Sequence, residues 1–307
     1  MNNQKGMALI TVILVTALVA MLAVSMSFAQ HVAVRRTANL LEGDQAMILA
    51  LGLEAWGLQV LIRDTEGGGD DHLGENWAMG LVPTAVENGQ ISGSLMDLQG
   101  KINLNNLVLG DDNTAEQTGL MLGRLFELCE ADNGAALVPA VADWLDRDEQ
   151  IRPGGAEDNE YLLHEPAYLA ANRPMKSPTE LMLVEGITPE IYGCLQSHIA
   201  ALPAATKINI NTADPMVIAT LSDTLTIEIA EEIVGDRPED GYENMAEFMN
   251  HPALAASGIA DGGLALTSDF FMARGLAVFG DSDIELYSLI SRNSGLVEVL
   301  GRSIGTY

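Results

Sequence analysis

The chain has 307 residues, of which 48% are hydrophobic, and its 43 acidic and 15 basic residues give a formal net charge of -28. A surface this acidic repels phosphate backbones, so the composition argues against nucleic acid as a partner. The length is sufficient for a membrane anchor and one or two folded domains.

The N-terminal stretch is strongly apolar. No Asp, Glu, Lys or Arg occurs between Gly6 and Val34, and residues 7–29 are almost wholly aliphatic. As a helix these positions extend about 35 Å, which is enough to cross a hydrocarbon core of about 30 Å. The pattern therefore predicts a transmembrane helix at 7–29. A plain anchor and a cleaved secretory signal are the alternatives, although the apolar core of a secretory signal is shorter.

The residues before this helix carry a second signal. Lys5 and Gly6 are followed without interruption by Met7 and an aliphatic run. This arrangement resembles the class III leader of type IV pilins and pseudopilins. The resemblance implies that a prepilin peptidase removes the leader, residues 1–6, by cutting after Gly6, and that the same enzyme methylates Met7. It also implies a single-pass protein of the inner membrane, with a cytoplasmic N-terminus and a periplasmic body.

Thr11 departs from the usual pilin pattern. Counted from Met7 it is the fifth residue, where pilin subunits usually carry a glutamate. A carboxylate inside an apolar helix needs a positive partner, which in filaments is thought to be the terminal amine of the adjacent subunit. Thr11 cannot form that pair. The minor pseudopilin family called protein K, of the type II secretion machinery, typically lacks this glutamate, and residues 35–46 are also similar to it. The chain therefore resembles the protein K family.

Beyond the apolar stretch, residues 30–62 keep a helical pattern. The apolar positions that would line one face are Leu49, Leu53, Trp56 and Val60. Short alternating runs at 90–98 and 101–104 then predict a hairpin around Gln99 and Gly100. Residues 30–104 are thus expected to form a pilin-like helix and its first strands.

Residues 105–265 have a helical texture with an internal echo. The sequence Lys-Ile-Asn-Leu-Asn at 101–105 recurs as Lys-Ile-Asn-Ile-Asn at 207–211. Each copy resembles a short extended segment that leads into helices capped by Asn or Thr. The echo indicates two similar units, at 105–206 and 207–265.

Parts of these units resemble helix-hairpin-helix or SAM-like modules, notably 177–189 and the helix start at 211–214. In many proteins such a hairpin binds DNA phosphates. Here Glu180, Glu185 and Glu190 stand where Lys or Arg would be needed, so the units are interpreted as scaffold. Two SAM-like domains inserted into a pilin fold are what the protein K resemblance implies.

The C-terminal residues, 266–307, return to a strand pattern. Alternating segments at 270–279, 284–291 and 296–304 are separated by turn residues. These strands should join the earlier hairpin and complete a sheet against the N-terminal helix. The expected fold class is α+β: a pilin-like long N-terminal helix packed on an antiparallel sheet, with a large all-helical insertion of two SAM-like units.

An acidic segment between the predicted helices is the best candidate for a metal site. Carboxylates without accompanying His or thiolate favour calcium, and a bound dication would relieve their mutual repulsion. The spacing is not that of an EF-hand, and a solvated acidic loop is the alternative. The predicted ligands are Asp146, Asp148, Gln150, Glu157 and Asp158, with Asp143 and Glu160 in reserve.

The chain has two cysteines, Cys129 and Cys194. If the body is periplasmic, the compartment is oxidising and a disulfide between them is allowed. Two unrelated buried thiols are the alternative. Neither cysteine belongs to a CxxC pair or a cluster of His, which excludes the usual zinc patterns.

The chain shows little sign of catalysis. Its five histidines are dispersed, and no nucleophile or zinc-protease motif occurs. The resemblance instead implies a structural subunit at the tip of the pseudopilus, which supports filament initiation, length control and the export of folded proteins across the outer membrane. Its implied partners are other minor pseudopilins, the major pseudopilin and the prepilin peptidase. A minor pilin of a type IV pilus is the main alternative, followed by an unrecognised membrane-anchored periplasmic hydrolase.

Overall fold

The computed structural model describes residues 3–131, 134–255, 257–293 and 295–306. Met1 and Asn2 of the predicted leader lie outside these ranges. The elements in chain order are α1 (Asn3–Gly67), β1 (Leu81–Val86), β2 (Gly89–Asp97), β3 (Ile102–Asn103), α2 (Asn106–Leu109), α3 (Asp112–Leu128), α4 (Val138–Leu145), α5 (Asp158–Tyr161), α6 (Pro189–Leu195), β4 (Ile199–Ala200), β5 (Ile208–Asn209), α7 (Pro215–Ala219), α8 (Ile227–Gly235), α9 (Met245–Met249), β6 (Leu264–Ala265), β7 (Phe270–Phe279), β8 (Ser282–Asn293) and β9 (Leu296–Ile304). Short 3-10 turns at Gly134–Leu137, Pro178–Leu183, Pro252–Leu254 and Asp261–Gly263 connect them.

The first helix, α1, has 65 residues and is about 98 Å long. Its N-terminal part is long and apolar enough to cross a membrane, and the apolar side chains there are exposed. Its C-terminal part packs on the sheet through a buried face formed by Ala46, Ala50, Leu53, Gly57 and Leu61. Of the four residues predicted to line one face of this helix, only Leu53 is fully buried. The face of α1 that contacts the sheet therefore carries smaller residues than predicted. Small residues let α1 approach the sheet closely: a Cβ at Gly57 would lie 3.2 Å from Leu95 Cδ2.

The sheet has five antiparallel strands in the order β1-β2-β7-β8-β9. The three predicted C-terminal strands are confirmed, and β2 pairs with β7 from Gly89–Phe279 to Asp97–Phe271. Side chains on alternate positions face α1 or point away from it. Glu54 of α1, which is 7% exposed, accepts hydrogen bonds from Arg302 of β9 at 2.6 and 2.8 Å, and this pair fixes the outer strand to the helix.

The predicted hairpin between 90–98 and 101–104 is wrong. The N-terminal hairpin joins β1 and β2 instead, and the chain leaves the sheet after Asp97. Strand β1 contains Pro83, a residue that edge strands tolerate because one side of their backbone has no ladder partner. The alternation in 101–104 reflects β3, which pairs in parallel with β4.

The region between β2 and β7 is mostly helical, but it is not all-helical as predicted. Two short parallel ladders pair Ile102 with Ile199 and Ile208 with Leu264. Each ladder contains one copy of the echoed sequence. Side chains of α3, α4, α7 and α8, including Phe126 and Ile233, belong to one continuous apolar core. The two parts of this region are therefore packed together.

The echoed asparagines have equivalent hydrogen bonds. Asn105 accepts from the backbone N–H of Met175 at 2.8 Å and donates to the carbonyl of the same residue at 2.9 Å. Asn211 makes the same pair of bonds with the backbone of Tyr242, at 2.8 and 3.3 Å. Each side-chain amide thus satisfies a buried backbone segment that would otherwise lack partners.

Candidate functional site

The predicted metal ligands lie on one loop, residues 143–160, which we call the acidic loop. It begins in the last turn of α4, where Asp143 is fully buried, and it ends in α5, whose first turn is preceded by the buried Glu157. Asp146 is half-buried, whereas Asp148 and Gln150 are exposed. Because the side chains leave the loop at different depths, the set is only partly brought together.

Arg152 occupies the centre of the acidic loop. Its guanidinium donates to Asp143 Oδ1 at 2.5 Å and also to Asp146 Oδ2, and its backbone N–H donates to Asp143 Oδ2 at 3.1 Å. The chain turns tightly here, since a Cβ at position 155 would overlap Asp143 Oδ2, which explains Gly155. The spacing of the carboxylates did not indicate that Arg152 pairs with both Asp143 and Asp146.

Glu157 has an unusual environment. Its side chain is buried, and neither carboxylate oxygen accepts a hydrogen bond in the described part of the chain. Burial, together with the negative charges of Asp143 and Asp146, raises the pKa of Glu157 to about 7. A carboxylate in this position is costly when ionised unless a positive charge reaches it.

Among the described residues, two further buried oxygens at or beside the acidic loop are also without hydrogen-bond donors. These are Glu160 Oε2 and Asn172 Oδ1. Asn172 lies beside the loop because its backbone N–H donates to the carbonyl of Trp144 at 3.0 Å. No spacing in the sequence pointed to Asn172, which follows the loop only after α5. Oxygens that accept no hydrogen bond are free to act as ligands of a hard cation such as calcium.

The remaining predicted ligands have local roles. Asp148 Oδ1 accepts from the backbone N–H of Gln150 at 2.9 Å, and Asp158 Oδ1 accepts from that of Ala170 at 2.9 Å. Among the described residues, the acidic loop has no three carboxylates with oxygens within 4.8 Å of one another. A cation would therefore have to draw the loop inwards and displace Arg152.

A different acidic group, Asp64, Asp71 and Glu75, does bring its oxygens within that distance. Arg292 of β8 already pairs with two of its members, since its guanidinium donates to Asp64 and to Asp71 at 2.5 Å and lies 4.7 Å from the ring centre of Phe271. We interpret this group as an ion-pair network that fastens the end of α1 to the sheet.

The two cysteines lie on neighbouring helices. Cys129 follows α3 directly, and Cys194 lies in α6. Their Cα atoms are 5.9 Å apart, and the structure joins their sulfur atoms in a disulfide. The bond links the two helices across a sequence separation of 65 residues.

The predicted processing residues, Gly6 and Met7, both lie within α1. Thr11 is exposed on the apolar part of the helix, and its hydroxyl donates to the carbonyl of Ala8 at 2.9 Å. The hydroxyl is therefore satisfied within its own helix and needs no neighbour.

A long apolar N-terminal helix packed on an antiparallel sheet, with a helical region inserted between two sheet strands, defines the class of pilin-like subunits with an inserted domain. Comparison with known proteins identifies the family. Two profiles described as type II secretion system (T2SS), protein K, match residues 100–204 and 208–267. The chain belongs to the type II secretion system protein K family.

Relatives in this family match the whole chain. Type II secretion system protein K of Pseudomonas aeruginosa is 34% identical, over 99% of this chain and 94% of the relative. The Klebsiella pneumoniae protein of the same name is 31% identical, over 100% of this chain and 98% of the relative. The fold is similar to that of a chain in the crystal structure of the GspK-GspI-GspJ complex from the enterotoxigenic Escherichia coli Type 2 Secretion System, with a TM-score of 0.81 and 25% identity, over 89% of this chain and 100% of that chain.

Proposed function

We propose that this chain is a minor pseudopilin at the tip of the type II secretion pseudopilus. There it supports filament initiation and length control, and thereby the export of folded proteins across the outer membrane. The observation that carries the proposal is the likeness of nearly the entire chain to a chain of a complex that contains GspK, GspI and GspJ. Its partners would be other minor pseudopilins and the major pseudopilin, packed in parallel along the exposed apolar half of α1.

Thr11 supports a terminal position in the filament. A subunit with a glutamate at this place can pair with the amine of an adjacent subunit, and a subunit without it lacks that link. Because the Thr11 hydroxyl donates to the carbonyl of Ala8, this side chain needs no partner from an adjacent subunit in the membrane. Such a subunit can have neighbours on its membrane side and none beyond it.

We also propose processing by the prepilin peptidase. Cleavage after Gly6 would leave Met7 as a methylated N-terminus, with α1 anchored in the inner membrane and the acidic body in the periplasm. N-terminal sequencing of the membrane-extracted protein tests this proposal. A chain that begins at Met7 agrees with it, and a chain that begins near Gln30 would indicate an ordinary signal peptidase.

The inserted region is proposed to consist of two SAM-like units, at 105–206 and 207–265. Three observations support the division: the matched ranges 100–204 and 208–267, the parallel ladder in each part, and the equivalent bonds of Asn105 and Asn211. These units form the body that the N-terminal helix carries.

The acidic loop is proposed to bind calcium. The donor set would be drawn from the buried Glu157, the half-buried Asp146 and Asp158, and the loop oxygens of Asp148 and Gln150, with Asp143 and Glu160 as further candidates. The support comes from the buried oxygens that lack donors. Calcium should raise the melting temperature, chelator should lower it, and a variant with Asp146→Ala and Asp148→Ala should lose both effects.

Co-purification tests the tip position. The full chain, extracted in detergent with the GspI and GspJ homologues of the same organism, should form a stable complex with one copy of each. Gold labelling of assembled filaments should mark one end. Labelling along the whole shaft, or failure of the three proteins to associate, would contradict the proposal.

A further inference from the structure

A groove lies on the face of the sheet that points away from α1. The residues of β2, β7 and β8 that alternate with the α1-facing positions pack there against the helical region, through Leu98, Phe270 and Met272. Between them remains a cavity of about 340 Å³. Its sheet side is formed by Met96, Met272 and Tyr287 and by the residues after β9, and its other side by Lys101, Tyr192, Gln196 and Ile199.

Lys101 is a half-buried cation that lines this groove. Within the described residues its ammonium group makes no hydrogen bond or ion pair. Burial lowers the pKa of Lys101, while the charges of Asp214 and Asp97 act in the opposite direction. Both carboxylates are already engaged: Asp214 accepts from His198 at 2.7 Å, and Asp97 accepts from Ser268 at 2.7 Å.

Partial burial removes some of the water around this ammonium group, and the described residues supply no hydrogen bond or ion pair in its place, so the position costs stability. The repeated Lys-Ile-Asn sequence does not require its lysine to be buried. Lys207, which occupies the same place in the second copy, is exposed. A residue that lowers stability and makes no stabilising contact is typical of a binding site.

The strands that the groove crosses give it a length that fits a short extended chain. It crosses from β2 over β7 and β8 to the residues after β9, a distance of about 14 Å, which corresponds to about four extended residues. Met96, 48% exposed, and Met272 provide an apolar lining that can adapt to different side chains.

We propose that this groove binds an extended peptide segment of a partner protein, in which apolar side chains flank one Asp or Glu that pairs with Lys101. In a chain of net charge -28, a cation in a partly apolar groove that makes no ion pair with the described residues is a strong selector for a carboxylate. The proposal does not depend on the tip position.

The probe is an array of pentapeptides, acetylated and amidated so that only a side chain carries charge, with apolar residues around a central Glu or Gln. The full chain in lipid nanodiscs should bind the best Glu peptides about tenfold more tightly than their Gln counterparts. Lys101→Met should abolish this preference. Lys207→Met is the matched control and should retain it.

A second measurement separates binding from a structural role. Because the Lys101 ammonium group makes no hydrogen bond or ion pair with the described residues, Lys101→Met should leave the melting temperature unchanged or raise it. The proposal is overturned if Lys101→Met lowers the melting temperature below that of Lys207→Met, if the Glu preference survives Lys101→Met, or if no peptide shows a Glu preference.

Discussion

Replacement of Glu157 by Gln tests the physics of the acidic loop directly. The pKa of this buried carboxyl is raised from 4.5 to about 7, so between these values the folded chain holds a proton that the unfolded chain releases. Stability therefore falls as the pH rises through this window, and the loss is complete above it. Since one pKa unit corresponds to about 1.4 kcal/mol, the loss is about 3 kcal/mol.

Glu157→Gln removes the charge and keeps the shape. In chelator at pH 8 the variant should be more stable than the wild type by up to about 3 kcal/mol, and at pH 4 the two should be nearly equal. Calcium should remove most of this difference at pH 8: at a concentration about a hundred times the dissociation constant it should add about 2.7 kcal/mol to the wild type and little to the variant.

The assay is urea unfolding of the full chain in nanodiscs, monitored by tryptophan fluorescence. Trp144 is next to Asp143 in the sequence and is 3% exposed, so its emission should change when this region unfolds. Glu149→Gln is the matched control, because Glu149 belongs to the same loop but is exposed. A Glu157→Gln protein that is less stable than the wild type in chelator at pH 8 would refute the reasoning about burial. An undiminished calcium effect in that variant would refute its role as a ligand.

Three other variants probe the fold. Arg302→Met leaves the buried Glu54 with Ser288 but without its ion-pair partner and should cost about 2 kcal/mol in urea unfolding at neutral pH. Burial raises the pKa of Glu54, but hydrogen bonds from Arg302 and Ser288 and the charge of Arg302 together lower it, so the cost should shrink as acid protonates Glu54. Cys129→Ser should lower stability by about 4 kcal/mol, and Cys194→Ser by the same amount, whereas a double variant should be no worse than either. Gly155→Ala should destabilise the acidic loop, seen as faster amide hydrogen exchange there, while Gly193→Ala, where the added Cβ meets nothing, should leave exchange unchanged.

Local patterns in the sequence predict the outer architecture well. The unbroken apolar run becomes the first half of α1, and the alternating segments near the C-terminus become β7, β8 and β9. These elements have strong periodicity and clear turns. The pairing of β3 with β4 could not be predicted, because two-residue strands carry no periodicity and Ile102 finds Ile199 only through the tertiary fold.

The acidic loop shows the same division between local and distant information. The density of carboxylates is visible in the sequence and predicts a site for a cation. Which carboxylates remain without partners depends on Arg152, which folds back onto Asp143 and Asp146, and on Asn172, which approaches through a backbone bond to Trp144. These contacts determine how deeply each carboxylate is buried and whether a positive charge lies beside it. Neither contact follows from the spacing of residues in the sequence.

The insertion leaves and rejoins the sheet on adjacent strands, since β2 ends at Asp97 and its partner in β7 is Phe271. The sheet ladder therefore continues past the insertion without interruption, and the helical body could reorient about this junction if nothing else held it. Asp97 prevents this, because its buried carboxylate accepts hydrogen bonds from Thr212 of the second unit and from Ser268 at the return to the sheet. These hydrogen bonds hold the helical body against the sheet beside the Lys101 groove, so a peptide bound there would contact both the sheet and the helical body.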